Sequence, residues 1–226
     1  MKKWIAAILA AMMVLSMAAC GSQEPPASNL TPNNNAAQKD TVSLGQMQGG
    51  IYTNTYAGFQ CALDENWTYK TAQELQELPD AAKDLFEGTA LEAEMLDVTI
   101  ISDMMAENLT TLSSMNVQYQ KLDLAQRLIF ATASDDQVID ETLKEKDSMI
   151  ASFTQAGMSD VTIEKKTVTF LGEERPVIYT TCTVNGVPCY MIQILDYSKG
   201  SYGVALTLST YLEDTTESLL ALFTKA

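Results

Sequence analysis

Histidine is absent from all 226 residues of the chain. Histidine is the base that activates the nucleophile in Ser-His-Asp and Cys-His enzymes, and it is a frequent ligand of zinc. Its absence excludes those catalytic arrangements and the usual histidine-containing zinc sites. Phosphate-cradling glycine loops are missing as well, because Gly172 and Gly186 stand alone, as turn residues do.

Basic residues are scarce: 14 lysines and arginines face 29 acidic residues, which gives a formal net charge of −15. A chain this acidic is repelled by nucleic acids and by anionic membrane surfaces. The simplest role of the excess acid is solubility, which aspartate and glutamate promote. The alternative is that it attracts cations or a basic partner.

Long apolar runs are also rare, and the clearest one extends from Trp4 to Leu15. It is too short to span a bilayer, which takes roughly 20 apolar residues. Lys2 and Lys3 precede it and small residues follow it, as in a secretory signal. The sequence therefore predicts a signal peptide at residues 1–19.

The end of this leader, Ser16-Met17-Ala18-Ala19-Cys20, resembles a bacterial lipobox, with Met17 where that signal usually has leucine. In the lipobox the cysteine thiol receives a diacylglycerol, and a peptidase then cuts just before it. The resemblance implies that Cys20 is the lipid attachment site, and that the protein is held on the extracytoplasmic face of the cell membrane. The alternatives are an ordinary signal peptide with a chance cysteine and an uncleaved anchor.

The residues after Cys20 are rich in proline, asparagine and glycine and contain few large apolar side chains. Such a segment cannot bury enough surface to offset its ordering entropy. We therefore predict a flexible linker at residues 20–49 and one folded domain at residues 50–226. A domain of about 175 residues is long enough to build a proper core.

The first half of the domain alternates β-forming segments with a helix signal. Apolar and aromatic residues around Ala57-Gly58 predict a hairpin, and Thr71-Ala72-Gln73-Glu74 has the form of a capping box. A helix should follow, with Pro79 either ending it or starting a second turn. Residues 98–108 and 116–122 are predicted as two paired strands.

A second capping box at Ser134-Asp135-Asp136-Gln137 predicts a long helix that ends at Gly157. Its apolar stripe consists of Ile139, Leu143, Ile150 and Phe153, and Asp140 is expected to pair with Lys144. Four strands should follow at residues 161–171, 177–184, 189–196 and 202–210. A short helix containing Leu219, Leu220 and Phe223 should end the chain.

This order predicts an α+β fold built on an antiparallel sheet. Segments such as Val177-Ile178-Tyr179 and Tyr190-Met191-Ile192 are apolar at every position. Strands of this kind are buried on both faces, so we expect helices packed on both faces of the sheet.

Four weak patterns of glycines and core aromatics carry a resemblance over about residues 50–225. They are Gly50-x-Tyr52-x-Asn54 with Gly58-Phe59, Leu63 and Trp67; Asp103-Met104-x-Ala106 with Asn116-Val117; Gly172-x-Glu174; and Gly200-x-Tyr202 with Thr207 and Ser209. They resemble Firmicutes membrane lipoproteins of unknown function, which are similar in layout to the PsbP-like α/β/α sandwich. That fold also serves in a photosynthetic extrinsic subunit and in a nuclear Ran-binding protein. The resemblance implies an accessory or interaction role.

The cysteines after Cys20 contain one candidate pair. Asn185-Gly186 between two apolar runs predicts a type I′ hairpin, which places Cys182 directly opposite Cys189. Outside the cell this arrangement favours a disulfide. Two buried free thiols and a redox-active pair are the alternatives. Cys61 alternates with apolar neighbours and is expected to pack in the core.

Paired acids occur at Asp135-Asp136, Glu173-Glu174 and Glu213-Asp214, at predicted helix starts and a turn. Capping and the helix dipole account for such positions without catalysis. No D-x-D-x-D-G calcium pattern is present, and we predict no catalytic, metal or cofactor site. A cluster of aromatic residues is expected in the core, with a carbohydrate or peptide groove as the alternative: Tyr52, Tyr56, Phe59, Trp67 and Tyr69.

The sequence thus predicts a membrane-anchored extracytoplasmic lipoprotein that works as an accessory or binding module. Its expected partners are the membrane, through the lipid on Cys20, and a protein at the cell surface, but not nucleic acid. A solute-binding lipoprotein of a transporter is the alternative. An enzyme that depends on carboxylates is a more distant one.

Overall fold

The computed structural model describes residues 42–85, 87–88, 99–198 and 200–226. The predicted signal peptide, Cys20 and most of the predicted linker lie outside these residues. Within them the protein is a mixed α+β structure with two antiparallel sheets, and strand outweighs helix.

The larger sheet has seven strands in the order β4-β5-β6-β10-β9-β8-β7, and every pair is antiparallel. Their bounds are β4 Trp67–Tyr69, β5 Ile100–Asn108, β6 Ser113–Lys121, β7 Met158–Phe170, β8 Glu173–Val184, β9 Val187–Asp196 and β10 Tyr202–Tyr211. The predicted strands are confirmed, and most are one to four residues longer than the sequence suggests.

The smaller sheet has the order β1-β2-β3-β11, with β1 Gln46–Gln48, β2 Ile51–Asn54, β3 Phe59–Ala62 and β11 Phe223–Lys225. The predicted hairpin around Gly58 is confirmed as β2–β3. Strand β1 lies within the segment predicted as linker and pairs with β2. Phe223, predicted in the last helix, instead pairs with Cys61 in this sheet, where its ring packs 5.3 Å from that of Phe59.

Three helices pack on one face of the large sheet: α2 Leu124–Phe130, α3 Asp135–Thr142 and α4 Lys146–Gln155. The predicted helix from Ser134 to Gly157 is therefore divided, because a 3₁₀ turn at Leu143–Glu145 interrupts it. Its capping box and the left-handed Gly157 are confirmed. Ile139 and Phe153 lie in the core, both 1 % exposed.

The expected pair between Asp140 and Lys144 is wrong. Asp140 instead accepts a hydrogen bond of 2.9 Å from Lys165, and Lys144 pairs with Glu141. Lys165 lies on the helix-facing side of β7, between Asp136 and Asp140, so it offers both carboxylates a partner across the layer. This interaction between elements replaces the local one.

The other face of the large sheet is covered mainly by the small sheet, together with the short helix α5 Thr216–Leu220. The expectation of helices on both faces is therefore correct for one face only. The reason lies in the first hairpin, whose buried Tyr52, Phe59 and Cys61 form a second apolar sheet surface. A sheet can cover another sheet as well as helices can.

Helix α1, Ala72–Leu85, begins at the predicted capping box, where the Thr71 backbone N–H donates 2.7 Å to Glu74. It continues through Pro79 to Leu85, so the expectation that Pro79 ends the helix is not met. Helix α2 is absent from the prediction. Its apolar residues Leu124 and Leu128 are 66 % and 67 % exposed, so it has no buried stripe that periodicity could detect.

Candidate binding site

A contiguous group of neutral polar side chains lies on the helix-facing side of the large sheet. The register places Asn116 opposite Thr207, and Thr207 opposite Gln193, in one row across β6, β10 and β9. Ser114 and Ser209 face each other in the next row. We call the full set the polar layer: Ser114, Asn116, Gln118, Gln120, Gln193, Thr207 and Ser209.

Every residue of the polar layer is buried, with at most 2 % of its surface exposed. The Gln193 amide donates 3.3 Å to the Thr207 hydroxyl, and the Gln118 amide donates 3.2 Å to Ser102. Within the described part of the chain, the side-chain carbonyls of Gln118 and Gln120 have no hydrogen-bond partner. Each such buried atom costs roughly 1–3 kcal/mol.

The polar layer carries no formal charge of its own. The nearest carboxylate, Glu107, lies opposite Ser114 at one side of the layer. Lys70 lies 3.0 Å from Glu107 and neutralises it. Groups that meet this surface therefore encounter amides and hydroxyls, which both donate and accept hydrogen bonds.

An aromatic side chain borders the opposite end of the layer. Gln120 pairs across the ladder with Gly203, and a side chain at Gly203 would collide with the Tyr197 ring, at 2.4 Å. Tyr197 in turn packs against Phe130 of α2, with the ring centroids 4.8 Å apart. Burial raises the pKa of the Tyr197 hydroxyl, which keeps it neutral.

Sequence reasoning identified the strands of this layer but not the layer itself. The alternation in Asn116-Val117-Gln118-Tyr119-Gln120 has the form expected of a strand with one face in solvent. The structure instead buries both faces. One signal of a buried polar layer was available in the sequence. Strand β10, which pairs with β6, has the same alternation of polar and apolar residues, with Thr207 and Ser209 at polar positions.

A second polar cluster lies on the opposite face of the same strands, and several residues of the sequence resemblance meet there. Asp103 is the extra residue of a β-bulge between Ser102 and Met104. The bulge turns its carboxylate toward the small sheet, where it accepts hydrogen bonds from the Tyr52 hydroxyl at 2.5 Å, the Asn54 amide at 3.0 Å and the Gly45 backbone N–H at 2.9 Å.

This Asp103 cluster is saturated with internal partners. Asn54 is fully buried, donates to the Tyr119 hydroxyl at 2.6 Å and accepts from the Ala57 backbone N–H at 2.8 Å. Burial raises the pKa of the Asp103 carboxyl, although its hydrogen-bond donors act in the other direction. Burial, reinforced by Asp103, also raises the pKa of Tyr52. The cluster joins the two sheets and leaves few groups for a ligand.

The aromatic residues singled out in the sequence divide by burial. Tyr52 and Phe59 are buried in the core between the sheets, as predicted. Tyr56, Trp67 and Tyr69 are half-buried and pack against that same core.

Cys182 and Cys189 are direct partners in the β8–β9 ladder, as the Asn185-Gly186 turn predicts. Both turn residues have positive φ, 51° and 81°, as a type I′ turn requires. Both cysteines are buried on the helix-facing side of the sheet and are thiols in this structure. A hydrogen bond with Cys189 lowers the pKa of Cys182, against the effect of burial.

The remaining cysteine among the described residues, Cys61, is fully buried between the sheets, as predicted. Burial raises the pKa of its thiol to about 12, so it stays protonated. Its environment is that of a small apolar side chain.

At least one member of each acid pair is engaged in a structural interaction. Asp135 binds Arg175 at 2.5 Å, and Glu173 binds Lys225 at 2.8 Å. Asp214 accepts from Tyr179 at 2.6 Å. Burial opposes its ionisation, but hydrogen bonds from Thr216 and Tyr179 prevail and lower the pKa of Asp214. Among the described residues, no group of three or more acids and cysteines is arranged to hold a metal ion.

An open groove of about 570 Å³ lies between the end of β7 and the C-terminal strand. Leu171, Leu220 and Phe223 form its apolar part, and Glu217 and Lys225 contribute charges. Both bordering strands, β7 and β11, are the last strands of their sheets. Sequence reasoning did not identify this groove.

No protein-family model matches the chain, and no curated protein matches it. In the part of the chain that the structure describes, no helix has the length and apolar character needed to cross a membrane. We therefore infer a function from the residues of this chain.

Proposed function

We propose that the protein is an extracytoplasmic lipoprotein, held on the cell membrane by a lipid on Cys20, and that its folded domain is a binding module. Two acyl chains or more give stable anchoring, since each buried CH₂ contributes about 0.8 kcal/mol. The anchor holds an acidic domain at a surface that would otherwise repel it.

The observation that carries the binding role is the polar layer. A sheet face beneath helices is ordinarily apolar, and the neighbouring half of this face follows that rule with Ile163, Ile178 and Met191. The polar layer instead retains buried groups without partners in the described part of the chain, at Gln118 and Gln120. Such departures from stability concentrate at functional sites.

The overall layout suits a PsbP-like sandwich, which is the finer fold assignment that we propose. A seven-stranded antiparallel sheet lies between a helical layer and a second layer. The second layer is mainly a sheet in this chain, which is where it departs from a plain α/β/α arrangement. The analogy of fold alone does not transfer an activity.

The polar layer also favours the second candidate function, a solute-binding lipoprotein of a transporter. Buried neutral hydrogen-bonding groups suit a small enclosed ligand better than a protein surface. The open groove at β11 suits a protein partner, as an accessory module requires. A carboxylate-dependent enzyme is disfavoured, because the acids it would need are bound to Arg175, Lys165 and Lys225.

Membrane fractionation of a Cys20→Ser variant tests the anchor. We expect the wild-type protein in the membrane fraction with its leader removed, and the variant with its leader uncut and without lipid. Ser22→Ala, two residues away, is the matched control and should behave as the wild type. A Cys20→Ser protein that is processed and anchored normally would contradict the proposal.

Native mass spectrometry of the mature protein extracted from membranes tests the binding role. We expect a fraction of the molecules to carry one small noncovalent adduct. Gln118→Leu should lose the adduct, and Gln48→Leu, an exposed glutamine of β1, should keep it. An adduct that both variants keep, or none in the wild type, would contradict a role for the polar layer.

A further inference from the structure

The geometry points to a specific class of ligand for the polar layer: a small neutral polyhydroxylated solute, such as a monosaccharide or disaccharide. The inference rests on the proposed binding role and adds the chemistry of the ligand. It follows from four features of the layer: its neutrality, the arrangement of its groups, its unsatisfied acceptors and the aromatic residues at its end.

Neutrality excludes charged solutes. A buried ion needs a partner of opposite charge or several charge-assisted hydrogen bonds. The layer itself offers carboxamides and hydroxyls; Glu107 at one end is already bound to Lys70 at 3.0 Å, and Arg127 beyond the other end donates 3.0 Å to Ser201. An anionic or cationic solute would lose its hydration without compensation.

The arrangement of the groups suits a ligand with several hydroxyls. Neighbouring strands lie about 4.8 Å apart, and alternate residues of one strand are about 6.7 Å apart. Gln118 and Gln120 on β6, Thr207 on β10 and Gln193 on β9 therefore form a grid of donors and acceptors about 10 Å wide across the strands and about 13 Å long along them. Each hydroxyl of a sugar both donates and accepts, as these side chains do.

The unsatisfied hydrogen-bond acceptors are the strongest support for a polyhydroxylated ligand. The carbonyl oxygens of Gln118 and Gln120 have no partner within the described part of the chain, and each accepts hydrogen bonds from hydroxyl groups. Burial without partners costs free energy for each oxygen, and a bound polyol would recover that cost. An apolar ligand would leave both oxygens unsatisfied.

Aromatic rings border the layer at the Gln120 end. Tyr197 packs on Gly203, which lies opposite Gln120, and Phe130 stands behind Tyr197. The Tyr197 hydroxyl is buried and without a partner in the described part of the chain. It adds a further donor and acceptor at the end of the grid, next to an apolar ring face.

Access requires a covering element to move, because the layer is buried in this structure. Helix α1 packs against β5, next to the layer. Among its residues with described side chains, Leu78 packs against the helix-side core, whereas Gln73, Glu74 and Glu77 are exposed.

The test measures the rise in melting temperature of the mature lipoprotein with solutes added at millimolar concentration. The protein is kept in a detergent without a sugar headgroup, since such a headgroup would compete. The panel contains matched pairs: glucose with gluconate, N-acetylglucosamine with glucosamine, and maltose with cyclohexanol as an apolar neutral control. We expect a rise of several degrees with at least one neutral sugar and none with its charged counterpart.

Variants decide whether the polar layer is responsible. Gln118→Leu should abolish the sugar-dependent rise, and Gln48→Leu should leave it intact. If Gln118→Leu fails to fold, Gln120→Leu in the same layer serves instead, with a sugar-dependent rise reduced at least twofold. Equal rises in the wild type and in the layer variants would overturn the inference.

Failure of this inference differs from failure of the proposed function. An adduct in native mass spectrometry that depends on Gln118, with no response to any sugar, would overturn the ligand class and leave the binding role standing. Absence of both the adduct and the response would overturn both. Stabilisation by gluconate or glucosamine equal to that by the neutral sugars would overturn the argument from neutrality.

Discussion

The Tyr52 hydroxyl donates a hydrogen bond of 2.5 Å to the Asp103 carboxylate, and this bond joins the small sheet to the large one. Asp103 reaches Tyr52 because a bulge in β5 turns it out of the ladder. Behind the same strands, Gln118 has an unpartnered carbonyl. One face of β5 and β6 thus carries a polar cluster with internal partners, and the other carries a buried carbonyl without a partner in the described part of the chain.

Asp103 should make the stability of the fold depend on pH in the direction opposite to most carboxylates. Burial raises its pKa in the folded state, so the folded protein holds this proton more tightly than the unfolded chain. The resulting stabilisation is complete below the unfolded-state pKa of about 3.9, and is lost as the pH rises through the raised folded-state pKa.

Urea denaturation of the wild type and of Asp103→Asn checks this expectation between pH 7 and pH 4. The free energy of unfolding of the wild type, minus that of the variant, should increase as the pH falls. Taking the difference removes the contribution of all other carboxylates. A difference that stays constant or decreases would show that burial does not dominate at Asp103.

Replacing Asn54 should be among the most damaging polar substitutions in the chain. Asn54→Ala removes the donor to Asp103 and Tyr119 and the acceptor for the Ala57 N–H, all without access to water. We expect a loss of about 3 kcal/mol in the free energy of unfolding. Asn66→Ala, at an exposed turn, is the control, and a similar loss in both variants would contradict the importance of the cluster.

Leucine at position 118 should stabilise the protein while removing its ligand. The substitution deletes a buried carbonyl without a partner in the described part of the chain, and with it the 3.2 Å bond from the amide to Ser102. Removing the unsatisfied oxygen outweighs the loss of that one bond to a partly buried hydroxyl, so we expect a gain of about 1 kcal/mol, measured by chemical denaturation. A substitution that raises the stability of a protein and abolishes its ligand binding is typical of a binding site. A clear loss of stability on Gln118→Leu would mean that the amide contributes to the fold.

The Cys182–Cys189 pair should be oxidised in the protein isolated from cells grown in air. Intact mass without reductant should then be lower by two hydrogens than mass after reduction. The bridge should add about 2–3 kcal/mol of stability, which a reductant removes. The Cys182→Ala/Cys189→Ala variant should show no response to reductant, and an unchanged wild-type mass on reduction would establish two buried thiols.

Local signals in the sequence predicted much of the fold. Capping residues such as Thr71 and Ser134 located helix starts, and Asn185-Gly186 set the hairpin register to the residue. Predictions from these features are correct because each feature acts through a few neighbouring residues. The predicted pair of Asp140 with Lys144 was wrong because the actual partner, Lys165, lies on a strand that is distant in the sequence.

The candidate site was harder to predict, because it depends on which faces are covered. Alternating polar residues at Asn116, Gln118 and Gln120 are compatible with a strand face exposed to water or with a buried polar layer. Only the packing of the sheet between two layers distinguishes these cases. The bulge at Asp103 likewise has no local signature in the residues around it.

The most direct test of the account is the native mass of the lipoprotein isolated from membranes. We expect a chain that begins at Cys20 and carries a diacylglycerol on its thiol. The amine of Cys20 is either acylated or free. The wild-type chain should also hold one small neutral molecule, which the Gln118→Leu variant should lose. A chain without lipid at Cys20, with no bound molecule in the wild type, would contradict it.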